Sequence, residues 1–154
     1  MKLAEALLER ADLQKHIEQL QSRIVANASY QEGEPPAEDA AELIELALTS
    51  IAALEGLVTA INVTNTGTTA SDGRALTALL SEREALRMKH SVLTKAADAA
   101  AIGPGYRQMR SELRQISALP VKGIREQAEA VAKQLRELDV LIQRTNWEAD
   151  LNRA

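Results

Sequence analysis

Apolar residues recur along this chain at spacings of three and four, the pattern of helices that bury one face. Leu3, Leu7, Leu13, Ile17, Leu20 and Ile24 form the first such line and predict a helix from about Lys2 to Ala26. Uncharged residues fill positions 24–31, and Gly33, Pro35 and Pro36 then force a turn. A second helix is expected from near Glu38. Its seam is Ile44, Ala47, Ile51, Leu54, Val58 and Ile61, a heptad pattern whose next member is Asn65. Glu38, Asp39, Glu42 and Glu45 stand in its first two turns, where acids suit the positive end of the helix dipole. The small polar run at 62–73 is expected to end it.

Asp72 reads as the N-cap of a third helix over about Arg74 to Ala101. Its seam is Leu76, Leu79, Arg83, Leu86, His90, Leu93 and Ala97, so Arg83 and His90 stand where apolar residues are expected. Gly103, Pro104 and Gly105 break the chain again. Residues 106–119 are the least regular part, and Arg110 to Ile116 could be a short strand. A lone strand leaves its backbone groups unpaired. The other extended piece is Ala28 to Glu32, so a small two-stranded β ribbon between them is expected. Pro120 suits the first turn of a fourth helix reaching about Leu151, with the seam Val121, Ile124, Ala128, Val131, Leu135, Leu138 and Ile142. The architecture expected over residues 1–154 is mainly α. It is one domain, a bundle of four long antiparallel amphipathic helices, with coiled-coil-like seams that a second copy of the chain could extend.

Composition supports this reading. Hydrophobic residues make up 45% of the chain but aromatics only 2% (Tyr30, Tyr106 and Trp147), which suits close helix packing better than a β core. The absence of cysteine excludes disulfides, thiolate catalysis and thiolate metal sites. The first ten residues carry charges at helical spacing, so a signal peptide is not expected. No membrane-spanning run is read from the sequence, and a cytoplasmic location is the expectation.

A net charge of −4 argues against nucleic acid as a partner, and its distribution is uneven. Residues 36–73 hold six acids (Glu38, Asp39, Glu42, Glu45, Glu55, Asp72) and no Lys or Arg. Residues 74–120 hold eight Lys and Arg against four acids. The simple reading places acidic and basic elements of one bundle side by side; the other is a basic surface for an anionic partner.

Recognisable enzyme templates are missing. Gly103-Pro104-Gly105 lacks the spacing and context of a phosphate loop. A di-iron bundle needs Glu three residues before His on two helices, whereas Arg87 precedes His90 and Leu13 precedes His16. Asp12 and His16 share a helical face, a spacing far more often a surface contact than a metal or catalytic pair. His90 has no carboxylate three or four residues away and reads as an interior or interfacial histidine. No catalytic residues, cofactor or metal are therefore expected. What stands out is a polar line on the fourth helix: Arg136, Asp139, Gln143 and Asn146, followed by Trp147. Asn62 and Asn65 on the second helix and Arg23 and Asn27 on the first add further polar groups. Together with Arg83 and His90 these could form a buried or interfacial network that sets register or oligomeric state. The other readings are a solvated face and a ligand pocket.

Four stretches carry a family resemblance: LAEALLERADLQ at 3–14, QEGE at 31–34, INVTNT at 61–66 and LRELDVLIQRTNW at 135–147. The chain resembles, over essentially its whole length, a family of small bacterial proteins often labelled septicolysin. Members carry a Ser-Glu-Ile-Lys-like strand, matched here by Ser111, Glu112, Leu113 and Arg114. The resemblance implies an uncharacterised helical protein and brings no catalytic residues with it.

The leading expectation is a non-enzymatic, self-associating scaffold or interaction module, a homo-oligomer with no membrane partner. The alternative is a binding protein for a small anionic or polar ligand, using Arg136, Gln143 and Asn146. A cytolysin, as the family label suggests, is the third reading; the sequence shows no pore-forming strand pair.

Overall fold

In a computed structural model, which describes residues 1–101 and 115–152, the chain is mainly α-helical. The helices are α1 (Leu3–Asn27), α2 (Ala40–Gly67), α3 (Leu76–Ala100) and α4 (Val121–Glu148). The mainly α, helical-bundle class expected from the seams is the one observed. Among the described residues there is no strand: Ala28 to Glu32 runs as a bend, coil and turn. The partner segment of the expected ribbon, Arg110 to Ile116, lies outside the described residues up to Arg114, and Gln115 and Ile116 are coil.

The chain divides into two compact units, residues 1–69 with 143–154, and residues 70–142. Helix α4 contributes residues to both.

In the first unit α1 and α2 form an antiparallel hairpin. Leu20, Leu43 and Ala47 are buried together, with Ile24 packed against them. Leu3, Leu20 and Ile61 are fully buried, each stabilising the fold by roughly 1.5–3 kcal/mol. The turn is held by polar groups from α1. Arg23 makes a two-pronged pair with Glu38, Nε to Oε2 at 2.9 Å and Nη2 to Oε1. Hydrogen bonding from Arg23 keeps the Glu38 carboxyl below the ordinary glutamate range. Asn27 accepts from the Glu38 backbone N–H at 3.2 Å and donates to the Arg23 carbonyl at 2.8 Å. Asp39 caps α2 by accepting from the N–H groups of Ala41 and Glu42.

The N-terminus is clasped to the segment after α4. Leu3 N–H donates to the Ala149 carbonyl, and Leu151 N–H donates to the Met1 carbonyl, both at 2.9 Å. Lys2 Nζ reaches Asp150 Oδ1 at 2.8 Å, and hydrogen bonding from Lys2 pulls the Asp150 carboxyl below its ordinary range.

Two boundaries differ from the sequence reading. Helix α2 runs past Asn62 to Gly67 because its threonines stay helical: Thr64 and Thr66 each donate a hydroxyl to the carbonyl four residues back. Thr68, which follows the helix, does the same to Thr64. Asp72 does not cap α3; Ala75 occupies that position. Asp72 instead accepts from the Arg74 backbone N–H at 3.1 Å and from Arg74 Nε at 2.8 Å, closing a local turn around Gly73, whose φ of 87° suits glycine.

The second unit pairs α3 with α4. Arg83 of α3 lies 3.8 Å from Asp139, and Asp98, two residues from the end of α3, lies 3.7 Å from Arg125 near the start of α4. The two helices therefore run antiparallel. Leu76, Leu79 and Ile142 are fully buried. The α3 seam faces inward as expected, with Arg83 and His90 half-buried on it.

Candidate interaction surface on α2

Helix α2 is where the expected and observed packing part company. Its covered line is Leu43, Ala47, Ser50, Leu54, Leu57, Ile61 and Thr64, all buried or half-buried. This is a strict four-three repeat, displaced by one residue at alternate steps from the line read in the sequence. Ile44 and Ile51, expected inside, are 43% and 45% exposed, and Leu46 and Leu48 are 46% and 56% exposed, whereas Val58 and Asn65 of the expected line are half-buried. The reason is that α2 is apolar nearly all round. Between Leu46 and Val63 the only charged residue is Glu55, so several seams are equally apolar and contact with α1 selects one.

An 18-residue window of α2 has a mean hydropathy of 1.7, and only 17% of it is buried. By length and composition α2 could cross a membrane, which corrects the sequence reading that no such run exists. A helix of this kind is normally covered on most of its circumference.

One flank of α2 lines a groove of about 610 Å³ with α1 and the C-terminal segment. Its floor is Ala52, Ala53, Gly56, Ala60 and Val63, with Glu9 of α1 and Glu55 of α2 as its two charged residues. A Cβ built on Gly56 would meet no atom within 4 Å. Glycine in a helix interior costs about 1 kcal/mol relative to alanine, and nothing in the described chain uses the space it leaves.

The polar groups singled out from the sequence are distributed over both units. Arg83 and Asp139 form the loose pair given above; the Arg83 Nε is buried without a hydrogen-bond partner. Arg136, Gln143 and Asn62 are exposed, Asn65 is half-buried and Asn146 is 5% exposed. Trp147 is 52% exposed. His90 lines a cleft of about 230 Å³ between α3 and α4, together with Asp98, Arg125 and Glu129. Among the described residues no three His, Asp or Glu side chains are grouped to hold a metal ion. Sequence reasoning missed the exposed apolar flank of α2, although its single charge in 18 residues was the available signal.

The profile of a family of unknown function, DUF6847, matches residues 10–151. The chain belongs to this family. It is also similar to a solved structure described as that of a functionally unknown conserved protein from Corynebacterium diphtheriae. The two chains are 36% identical, superpose with a TM-score of 0.91, and are each covered to 99%. Comparison with curated proteins gives no match.

Proposed function

We propose that the protein is a non-enzymatic, self-associating helical module whose contact surface is the uncovered side of α2. The observation that carries this reading is a long helix, apolar on nearly every side, of whose most apolar window the described chain buries only 17%. Water contact with Ile44, Leu46, Leu48 and Ile51 is unfavourable, and covering such side chains contributes roughly 25 cal/mol per Å² of apolar surface. The face is about 42 Å long at 1.5 Å per residue. With its groove toward α1, it is ~20 Å wide if helices pack ~10 Å apart. That gives the ~800 Å² per partner found in stable interfaces.

Sedimentation equilibrium tests this directly. The wild-type chain is expected to be a dimer or larger at micromolar concentration, and Leu48→Glu to shift it toward monomer with its helical circular dichroism retained. A wild-type monomer at tens of micromolar would overturn the reading.

A ligand site built on Arg136, Gln143 and Asn146 has less support, because none of these residues lines the clefts described above. A lytic role, as the septicolysin label suggests, would put α2 into lipid. Glu55, near the middle of α2, would then lie in hydrocarbon, where a carboxylate is costly.

A further inference from the structure

Resting on the self-association just proposed, we infer that the α2 groove of one copy receives the exposed ridge of α3 from a second copy. The two surfaces are complementary in charge and shape, and one sequence carries both.

The groove is acidic. Glu9 stands on the α1 side and Glu55 on α2, above a floor of small and apolar residues. No Lys or Arg occurs anywhere from residue 36 to 73. The ridge on α3 is basic. Met88 and Val92, one turn apart, are 57% and 67% exposed. Lys89 and Lys95 flank them and are exposed too; the nearby acids are Glu84, one turn before Met88, and Asp98, three residues after Lys95 and paired with Arg125. Among the described residues none of Glu9, Glu55, Lys89 and Lys95 takes part in an ion pair. Each side thus offers charge mainly of one sign around an apolar strip, and the prevailing signs are opposite.

Gly56 makes the shapes compatible. The open space over its Cα allows a bulky side chain such as Met88 to approach the α2 backbone closely. Every copy carries both halves, so the contact can close reciprocally into a two-fold dimer or repeat head to tail. A lipid surface suits the groove less well, because cellular membrane surfaces are neutral or anionic and repel a segment with six acids and no base.

The test is charge reversal by sedimentation equilibrium. Glu9→Lys with Glu55→Lys, or Lys89→Glu with Lys95→Glu, is expected to weaken association at least tenfold, because like charges then face each other. An equimolar mixture of the two variants is expected to associate again, since the lysine-rimmed groove of one meets the glutamate-bearing ridge of the other. Gly56→Leu should fold with undiminished thermal stability and still weaken association tenfold or more. If the wild type associates but neither reversal weakens it, or mixing restores nothing, the α2–α3 pairing fails while self-association stands. If the wild type is monomeric, both fail. Co-flotation of wild type with phosphatidylcholine vesicles, abolished by Leu48→Glu, would overturn the pairing in favour of lipid.

Discussion

The backbone N–H of Asn152 donates to the hydroxyl of Thr64 at 2.8 Å, and that hydroxyl donates to the Ala60 carbonyl at 2.8 Å. One buried side chain, 4% exposed, therefore serves the last turns of α2 and fixes the chain beyond α4 against them. Thr64→Val keeps the shape and removes both bonds, leaving the Asn152 N–H without its acceptor. A loss of about 1–2 kcal/mol is expected, read as a lower midpoint in denaturant titration, with Thr64→Ser much closer to wild type.

The one-residue displacement of the α2 seam separates two neighbours sharply. Leu43→Ala opens a cavity beside Leu20 and Ala47 and should cost ~2–4 kcal/mol. Ile44→Ala, at a half-exposed position, should cost under ~1 kcal/mol in the monomer. Thermal or urea unfolding at low protein concentration compares them; equal losses would mean that the line of contact with α1 is wrongly placed.

Arg83 enters the α3 seam with its Nε buried and unpaired and Asp139 at 3.8 Å. Desolvating the guanidinium offsets most of what so loose a pair contributes. Arg83→Met is therefore expected to leave stability unchanged or raise it by about 1 kcal/mol, as measured by denaturant unfolding. A loss above ~2 kcal/mol would show that the pair is much stronger than its geometry implies.

Stability should fall in acid with a definite sign. Glu38, Asp72 and Asp150 are each held below their ordinary range, by Arg23, by the Arg74 backbone and side chain, and by Lys2 respectively. A carboxyl lowered in the folded state stabilises it fully above the unfolded value, near pH 4, and the contribution disappears as pH falls through the folded value. Amide exchange at Leu3 and Leu151, which close the terminal clasp, should accelerate relative to the intrinsic rate below about pH 4. Asp150→Asn should remove part of that pH dependence. All three carboxylates face solvent, so salt should weaken the effect.

Much of the fold was legible in the sequence because its signals are local. Gly33, Pro35 and Pro36 keep the link between α1 and α2 non-helical wherever the rest of the chain lies, and the α3 and α4 seams read correctly because each has one apolar face. The end of α2 was less legible. Asn62, Thr64 and Thr66 look like loop residues by propensity, yet they stay helical, with the Thr64 and Thr66 hydroxyls donating one turn back and Thr64 also accepting from Asn152. The candidate polar line was visible as a pattern, but periodicity carries no information on which polar groups are covered: Asn146 is buried while Arg136 and Gln143 are exposed.

The sequence by itself determined four helices, their breaks and the inward faces of α3 and α4, since an amphipathic helix has one way to hide its apolar side. It could not orient α2, because a helix apolar nearly all round has several seams of equal hydrophobicity. Only tertiary contact, with α1 and with the segment beyond α4 at Thr64, chose the line from Leu43 to Thr64, and the same choice left Ile44, Leu48 and Ile51 largely exposed.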